Sequence, residues 1–247
     1  MCIETPEELE ALRRVGSIVR EMLEAMKLAV APGISTKELD DIGAKVARAQ
    51  GAQSGPMLVY KFPGFSCISL NEEAVHGVPL SSRRVKSGDI VKLDVTIELG
   101  GFMADAAESV VCGEGSAESH QLIACAQKAF REAMEVAKAG NIVRDIGRKV
   151  NTAVRRDGYS VIRELTGYGI GRSIHEPPTV ANFADPAERS VLKEGLVLTV
   201  EPIIAAGKGR SVTEDDGWTI RTADRSLSAH YEHTLVITRG EPILLTA

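Results

Sequence analysis

Asp94 and Asp105 lie on the two arms of a segment, Ile90 to Val110, whose sequence IVKLDVTIELGGFMADAAESV reads as a β-hairpin. Val91, Leu93, Val95 and Ile97 alternate with Lys92, Asp94 and Thr96, the period-two pattern of a strand. Glu98-Leu99-Gly100-Gly101 supplies the turn, because glycine takes the positive φ that tight hairpins need. The midpoint between the two aspartates falls between Leu99 and Gly100, so a regular hairpin is expected to set their carboxylates opposite one another. Like charges so placed repel unless one takes up a proton or a cation sits between them, and a divalent metal is the usual remedy. On these residues alone, a solvated polar face with two ordinary surface aspartates is an equal reading.

The elements that must hold this hairpin come in two copies. Thr5-Pro6-Glu7-Glu8 has the signature of a helix start, with Thr5 as N-cap and Glu8 closing a capping box. Leu12, Val15, Val19, Met22, Leu23, Met26 and Val30 then recur at helical spacing, which predicts a long amphipathic helix ending near Pro32-Gly33. Ser35 and Glu38 open a shorter helix that Gly51 stops, and a loop leads to a short strand at Ser66 to Leu70. The order recurs as a long helix over Ser116 to Ala139 and a shorter one over Asn141 to Asp157, before Gly158. Glu24-Ala25-Met26 returns 108 residues on as Glu132-Ala133-Met134, and Asp41-Ile42-Gly43 returns 104 residues on as Asp145-Ile146-Gly147. Two matches in the same order on corresponding elements predict an internal repeat, about 5–112 and 116–240, within one catalytic domain spanning 1–247.

The repeat extends to the chemistry. Glu201 lies 107 residues after Asp94, at the end of the apolar strand Leu196 to Val200, and Glu232 lies on the following strand, Ser228 to Thr238. An unpaired carboxylate among Val197, Leu198, Val200, Ile203 and Ile204 would cost several kcal/mol, so Glu201 needs a partner. Two facing copies would gather four carboxylates, an all-oxygen donor set suited to a pair of divalent ions.

Composition narrows the class. The chain has 247 residues, 44% of them apolar, and a formal net charge of −5, which argues against a nucleic-acid surface. The start MCIETPEELE lacks the apolar core of a signal peptide, and no apolar run is long enough to span a membrane, so a cytoplasmic location is expected. Cys2, Cys67, Cys112 and Cys125 form no C-x-x-C pair, so reduced thiols are expected.

Three further stretches carry candidate side chains. Asn71-Glu72-Glu73-Ala74-Val75-His76-Gly77-Val78-Pro79 puts His76 before a turn, although a loop histidine taken alone is more often a surface residue. Gly167-Tyr168-Gly169-Ile170-Gly171-Arg172-Ser173-Ile174-His175-Glu176-Pro177-Pro178 is glycine-rich but lacks the Lys-Ser/Thr of a phosphate loop. Asp216-Gly217-Trp218 holds the lone tryptophan, a residue more often in a core than on a pocket wall.

Taken in order, NEEAVHGVP, GDIVKLDVT with Asp105, GYGIGRSIHEPP, LTVEP, DGWT and SAHYEHT resemble the type I (bacterial-type) methionine aminopeptidases over nearly the whole chain. The resemblance implies an α+β pita-bread fold, with two pseudo-symmetric helix-helix-hairpin halves around a central antiparallel sheet. It implies a metalloaminopeptidase that removes the initiator methionine from nascent polypeptide N-termini, using two divalent metal ions (cobalt, manganese or iron) and a metal-bridging hydroxide. The metal ligands fall on Asp94, Asp105, Glu201 and Glu232, with Asp105 and Glu232 bridging. His76 and His175 match the catalytic histidines, and Glu201 would shuttle the proton. Val59, Phe62, Cys67, Ile174 and Trp218 match the wall of the methionine pocket. It further implies a monomer, with the ribosome as a candidate partner and neither nucleic acid nor membrane bound.

One position departs. Where the resemblance expects a histidine metal ligand, this chain has Tyr168, and a phenol binds divalent metal well only as phenolate. Three outcomes are open: Tyr168 ligates weakly, it swings aside for water, or metal binding and activity fall. The alternative to the enzyme is therefore a catalytically impaired paralogue that acts as a peptide-binding module. A metal-free C–N hydrolase resembling creatinase is disfavoured by the four retained carboxylates, since a metal-free site gains nothing from gathered negative charge.

Overall fold

The computed structural model describes residues 1–247. Its first half runs α1 (Pro6–Ala29), α2 (Thr36–Ala49), β1 (Gln53–Ser54), α3 (Gly55–Tyr60), β2 (Cys67–Leu70), β3 (Glu73–Val75), β4 (Ile90–Leu99) and β5 (Phe102–Val111). The second half opens with α4 (Ala117–Met134), α5 (Val143–Arg156), β6 (Ser160–Val161), β7 (Thr166–Gly169) and β8 (Glu176–Ala181). It continues through β9 (Val197–Val200), β10 (Ile203–Ala205), β11 (Ser211–Thr213), β12 (Ile220–Thr222) and β13 (Ser228–His230), ending in β14 (Glu232–Val236) and β15 (Ile243–Leu244). A single antiparallel sheet of order β1-β4-β5-β14-β9-β7-β8, with β2 on β4 and β15 on β14, joins the halves where β5 meets β14. This is the α+β pita-bread arrangement that the resemblance implies.

Each half builds its own apolar core between its helix pair and its share of the sheet. Leu12, Val19, Met22, Leu23 and Met26 of α1 and Leu39 of α2 pack with Leu93, Val95 and Ile97 of β4. Leu122, Ala126, Ala129 and Phe130 of α4 and Ile146, Val150 and Val154 of α5 pack with Leu198, Val200 and Leu235. The helices bury the stripe that their 3.6-residue period puts on one side. Ser35 and Glu38 form the expected capping box. At the first helix the box is shifted by one residue: Thr5 accepts from Glu8 N, while the Glu8 carboxylate accepts from Glu4 N rather than from Thr5. Helix α4 stops at Met134, short of the expected Ala139, and α3 was not legible, being a single short turn in a loop.

The hairpin corrects the expected pairing of its aspartates. Gly100 and Gly101, with φ of 61° and 82°, form the two central turn residues, so β4 and β5 pair with Thr96 opposite Asp105 and Asp94 opposite Ala107. The carboxylates are diagonal neighbours on one face instead of direct opposites. That face is not a solvated surface: Lys92, Thr96 and Asp105 are all buried, because β13 and the loop after β2 cover it. Lys92 spans the cover, its Nζ donating to Asn71 O at 2.6 Å and to Ser228 O at 3.1 Å.

The duplicated glycines Gly43 and Gly147 differ in what surrounds them. A Cβ on Gly43 would meet the Met26 thioether, a flexible end that can move, whereas one on Gly147 would overlap the backbone carbonyls of Ala181 and Phe183. Replacing a helical glycine by alanine gains about 1 kcal/mol of helix propensity, while overpacking against rigid backbone costs about 1–3 kcal/mol. In urea unfolding, Gly43→Ala is expected to keep the wild-type midpoint within about 0.5 kcal/mol, and Gly147→Ala to lower it. Equal midpoints for the two variants would refute this packing of α5 on the sheet.

Candidate metal centre

The cover over the hairpin face encloses a cavity of about 1000 Å³ whose floor holds the acidic residues. Asp94 comes from β4, Asp105 from β5, Glu232 from the first position of β14, and Glu201 from the position just after β9. Chain order places them because β14 pairs with both β5 and β9, with Glu232 beside Ala107 and His233 beside Val200. Asp105, Glu201 and Glu232 are 2%, 6% and 1% exposed, respectively. Ligand atoms of Asp94, Asp105 and Glu232 lie within 4.8 Å of one another, as do those of Glu201, His230 and Glu232. Glu232 belongs to both groups, which is where a bridging ligand must stand.

Burial works against ionisation of the whole set. It raises the pKa of Asp94 and Glu232 well above the carboxylate range, each helped by the neighbouring carboxylates, and pushes Glu201 up to about 8. Asp105 is raised by burial too, but less freely, because the Tyr168 phenol and the Thr96 hydroxyl, at 2.7 Å, donate to its Oδ2. Its Oδ1 and the Glu232 Oε1 are buried without any hydrogen-bond partner. Gathered acceptors with unfilled lone pairs fit divalent cations, which supply the missing positive charge and accept several oxygens at once.

Tyr168 lies on β7 and lines the cavity. Its hydroxyl faces the cluster and donates to Asp105, and its ring stands edge-on to His175 with centroids 4.2 Å apart. Burial, then Asp105, push the phenol pKa well above its ordinary value, so in this arrangement it is a neutral hydrogen-bond donor.

His76 and His175 stand on the cavity wall, both in the left-handed region with φ of 57° and 59°. That conformation is uncommon away from glycine and turns each ring out of its local strand direction toward the cavity. Burial lowers both pKa values, His76 to about 4, so both rings are neutral near pH 7. The His175 Nδ1 shares a short hydrogen bond with the Tyr60 hydroxyl.

Phe62, Cys67, Ile174 and Trp218 line the cavity, with Phe62 and Trp218 in an edge-to-face pair at 5.3 Å. Val59 is absent from the lining, where Tyr60 stands instead. Tyr60 and His230 are the site residues that sequence reasoning missed. His230 was legible in principle, because His230-x-Glu232 puts two ligand types on one face of an extended segment. Tyr60 had no such signal. All four cysteines are free thiols, and no helix is long and apolar enough to cross a membrane.

Comparison with known proteins agrees with this geometry. Residues 10–239 match the model of metallopeptidase family M24. The chain is 45% identical over 247 residues to methionine aminopeptidase 2 of Bacillus subtilis, covering 100% of this chain and 99% of that one. It is 41% identical over 239 residues to a Clostridium perfringens methionine aminopeptidase, covering 97% and 96%. Among solved structures, the methionine aminopeptidase of Rickettsia prowazekii superposes over 100% of both chains with a TM-score of 0.95 at 34% identity. The chain therefore belongs to metallopeptidase family M24 and, within it, to the methionine aminopeptidases.

Proposed function

We propose that the protein hydrolyses the first peptide bond of newly made polypeptides that begin with methionine, with the buried carboxylate cluster as its metal centre. The observation that carries this reading is Glu232, shared by two groups of ligand atoms on the floor of one cavity whose wall includes Phe62, Cys67, Ile174 and Trp218. An apolar, sulfur-lined wall suits an unbranched thioether. Full-length similarity to methionine aminopeptidases supports the substrate class.

Asp94, Asp105, Glu201 and Glu232 would hold two divalent cations, cobalt, manganese or iron, which polarise a scissile carbonyl and lower the pKa of water when bound. The chain's own residues do the rest. The apolar wall seats the methionine side chain and thereby fixes the first peptide bond over the carboxylates. A Tyr60 hydroxyl that donates to Nδ1 would keep the His175 proton on Nε2, where a neutral ring can donate to the developing oxyanion. His76 faces the same space as a second neutral imidazole. Glu201 takes the proton from water and returns it to the leaving amine. The enzyme works as one duplicated catalytic unit, a cytoplasmic monomer that meets its substrates as they leave the ribosome.

Because the Tyr168 hydroxyl already occupies Asp105, it weakens rather than supplements the ligand set. With Mn²⁺ or Co²⁺ supplied, Met-Ala-Ser cleavage is expected to be measurable in this protein and at least about tenfold faster in Tyr168→His, a loss of about 1.4 kcal/mol relative to a nitrogen ligand. Metal uptake without cleavage by either protein would favour a non-catalytic peptide-binding module. Truncating the pocket wall in Phe62→Ala is expected to raise KM for the same peptide on the order of tenfold while leaving metal affinity unchanged. An unchanged KM would place the methionine side chain elsewhere.

A further inference from the structure

His230 is the only side chain that buries two polar atoms with no hydrogen-bond partner: both its ring nitrogens are unpaired, and it is 2% exposed. Folded proteins avoid this, since each unsatisfied buried group costs about 1–3 kcal/mol. The ring is not loose. Its backbone N–H donates to Ser109 Oγ at 2.9 Å, and that hydroxyl donates back to His230 O at 2.8 Å. On the other side, His230 pairs with Ile203 in the β13–β10 ladder, two residues beyond Glu201. Two chain segments that carry carboxylates, those of Asp105 and Glu201, thus fix it in place.

Its Nε2 lies 3.2 Å from Glu232 Oε2, yet the two make no hydrogen bond. Two ligand atoms on adjacent corners of one coordination sphere, each about 2.1 Å from a metal, stand about 3 Å apart with their lone pairs aimed at the ion and not at each other. The Glu201 carboxylate completes the group, all its ligand atoms falling within 4.8 Å. We infer that His230 is a metal ligand, the nitrogen donor of a Glu201–His230–Glu232 site distinct in kind from the all-oxygen Asp94–Asp105–Glu232 site. A mixed nitrogen and oxygen site favours cobalt, nickel or zinc over manganese, so the two positions differ in metal preference.

This assignment rests on the metallopeptidase reading above, and the test separates the two. The metal-free protein is titrated calorimetrically with Co²⁺, and X-ray absorption spectra are recorded at one and two equivalents for the wild type, His230→Gln and His175→Ala. The wild type is expected to show imidazole scattering around cobalt. His230→Gln is expected to lose it and to weaken the tighter or looser of the two Kd values at least about tenfold, while His175→Ala keeps the imidazole signal. Should His230→Gln fail to fold, the wild-type spectrum still decides. Cobalt bound by oxygen donors alone, or imidazole scattering that survives in His230→Gln, overturns the ligand assignment and leaves Met-Ala-Ser cleavage as the separate test of the enzyme. A wild type that binds no Co²⁺ overturns both.

Discussion

The structure depends on the repulsion among four carboxylates that the fold refuses to let solvent relieve. Asp105, Glu201 and Glu232 are almost wholly buried, and Asp94 joins them from the adjacent strand. Left ionised, such a cluster would cost several kcal/mol for each charge. Protonation offers a partial remedy, and the raised pKa values of all four express that tendency. Two divalent cations offer a fuller one, because they neutralise four charges while filling the lone pairs left on Asp105 and Glu232. The same burial that makes the cluster costly strengthens every electrostatic interaction made inside it.

The scaffold is built to hold that arrangement against its own repulsion. Each half anchors its acidic residues on strands backed by a helix pair, and the join of β5 to β14 brings the halves' carboxylates to one line of the sheet. The Asp105 backbone N–H donates to Thr234 Oγ1 at 2.9 Å, and that hydroxyl donates to Asp105 O at 2.8 Å, locking the two strands at the site. Ser109 and His230 repeat this exchange farther along the same pair of segments. Rigid backbone on both sides of the cluster leaves the side chains little room to separate, which is the preorganisation that a metal centre requires.

Much of this was legible because it rests on local rules. Period-two alternation and a Gly-Gly turn located the hairpin, capping residues located the helices, and the repeated Asp-Ile-Gly revealed the duplication that led from Asp94 to Glu201. What failed was register. The turn centre lies one residue beyond the midpoint between Asp94 and Asp105, and this alone changes direct opposition into a diagonal pair with Thr96 facing Asp105. The positive φ at His76 and His175 and the exposure of Val59 come from tertiary packing, which no window of sequence encodes. His230 stands two residues from Glu232 and was open to reading as a ligand, but the burial that leaves its ring nitrogens unpaired is a product of tertiary packing. Tyr168 could be flagged as unusual, but its bond to Asp105 appears only when β7 is set beside the cavity.

If buried carboxylates without compensating charge are the defining constraint, divalent metal must stabilise the folded chain. Thermal unfolding of metal-stripped protein, with and without Mn²⁺ at about a hundred times its Kd, measures this directly. Such binding adds about 2.7 kcal/mol, which for a chain of this size raises Tm by about 5–10 °C. That rise is expected for the wild type and nearly disappears in the Asp105→Asn, Glu232→Gln double variant, whose metal-free Tm equals or exceeds that of the wild type. A wild-type Tm indifferent to Mn²⁺, or a double variant that melts lower than the wild type without metal, would contradict it.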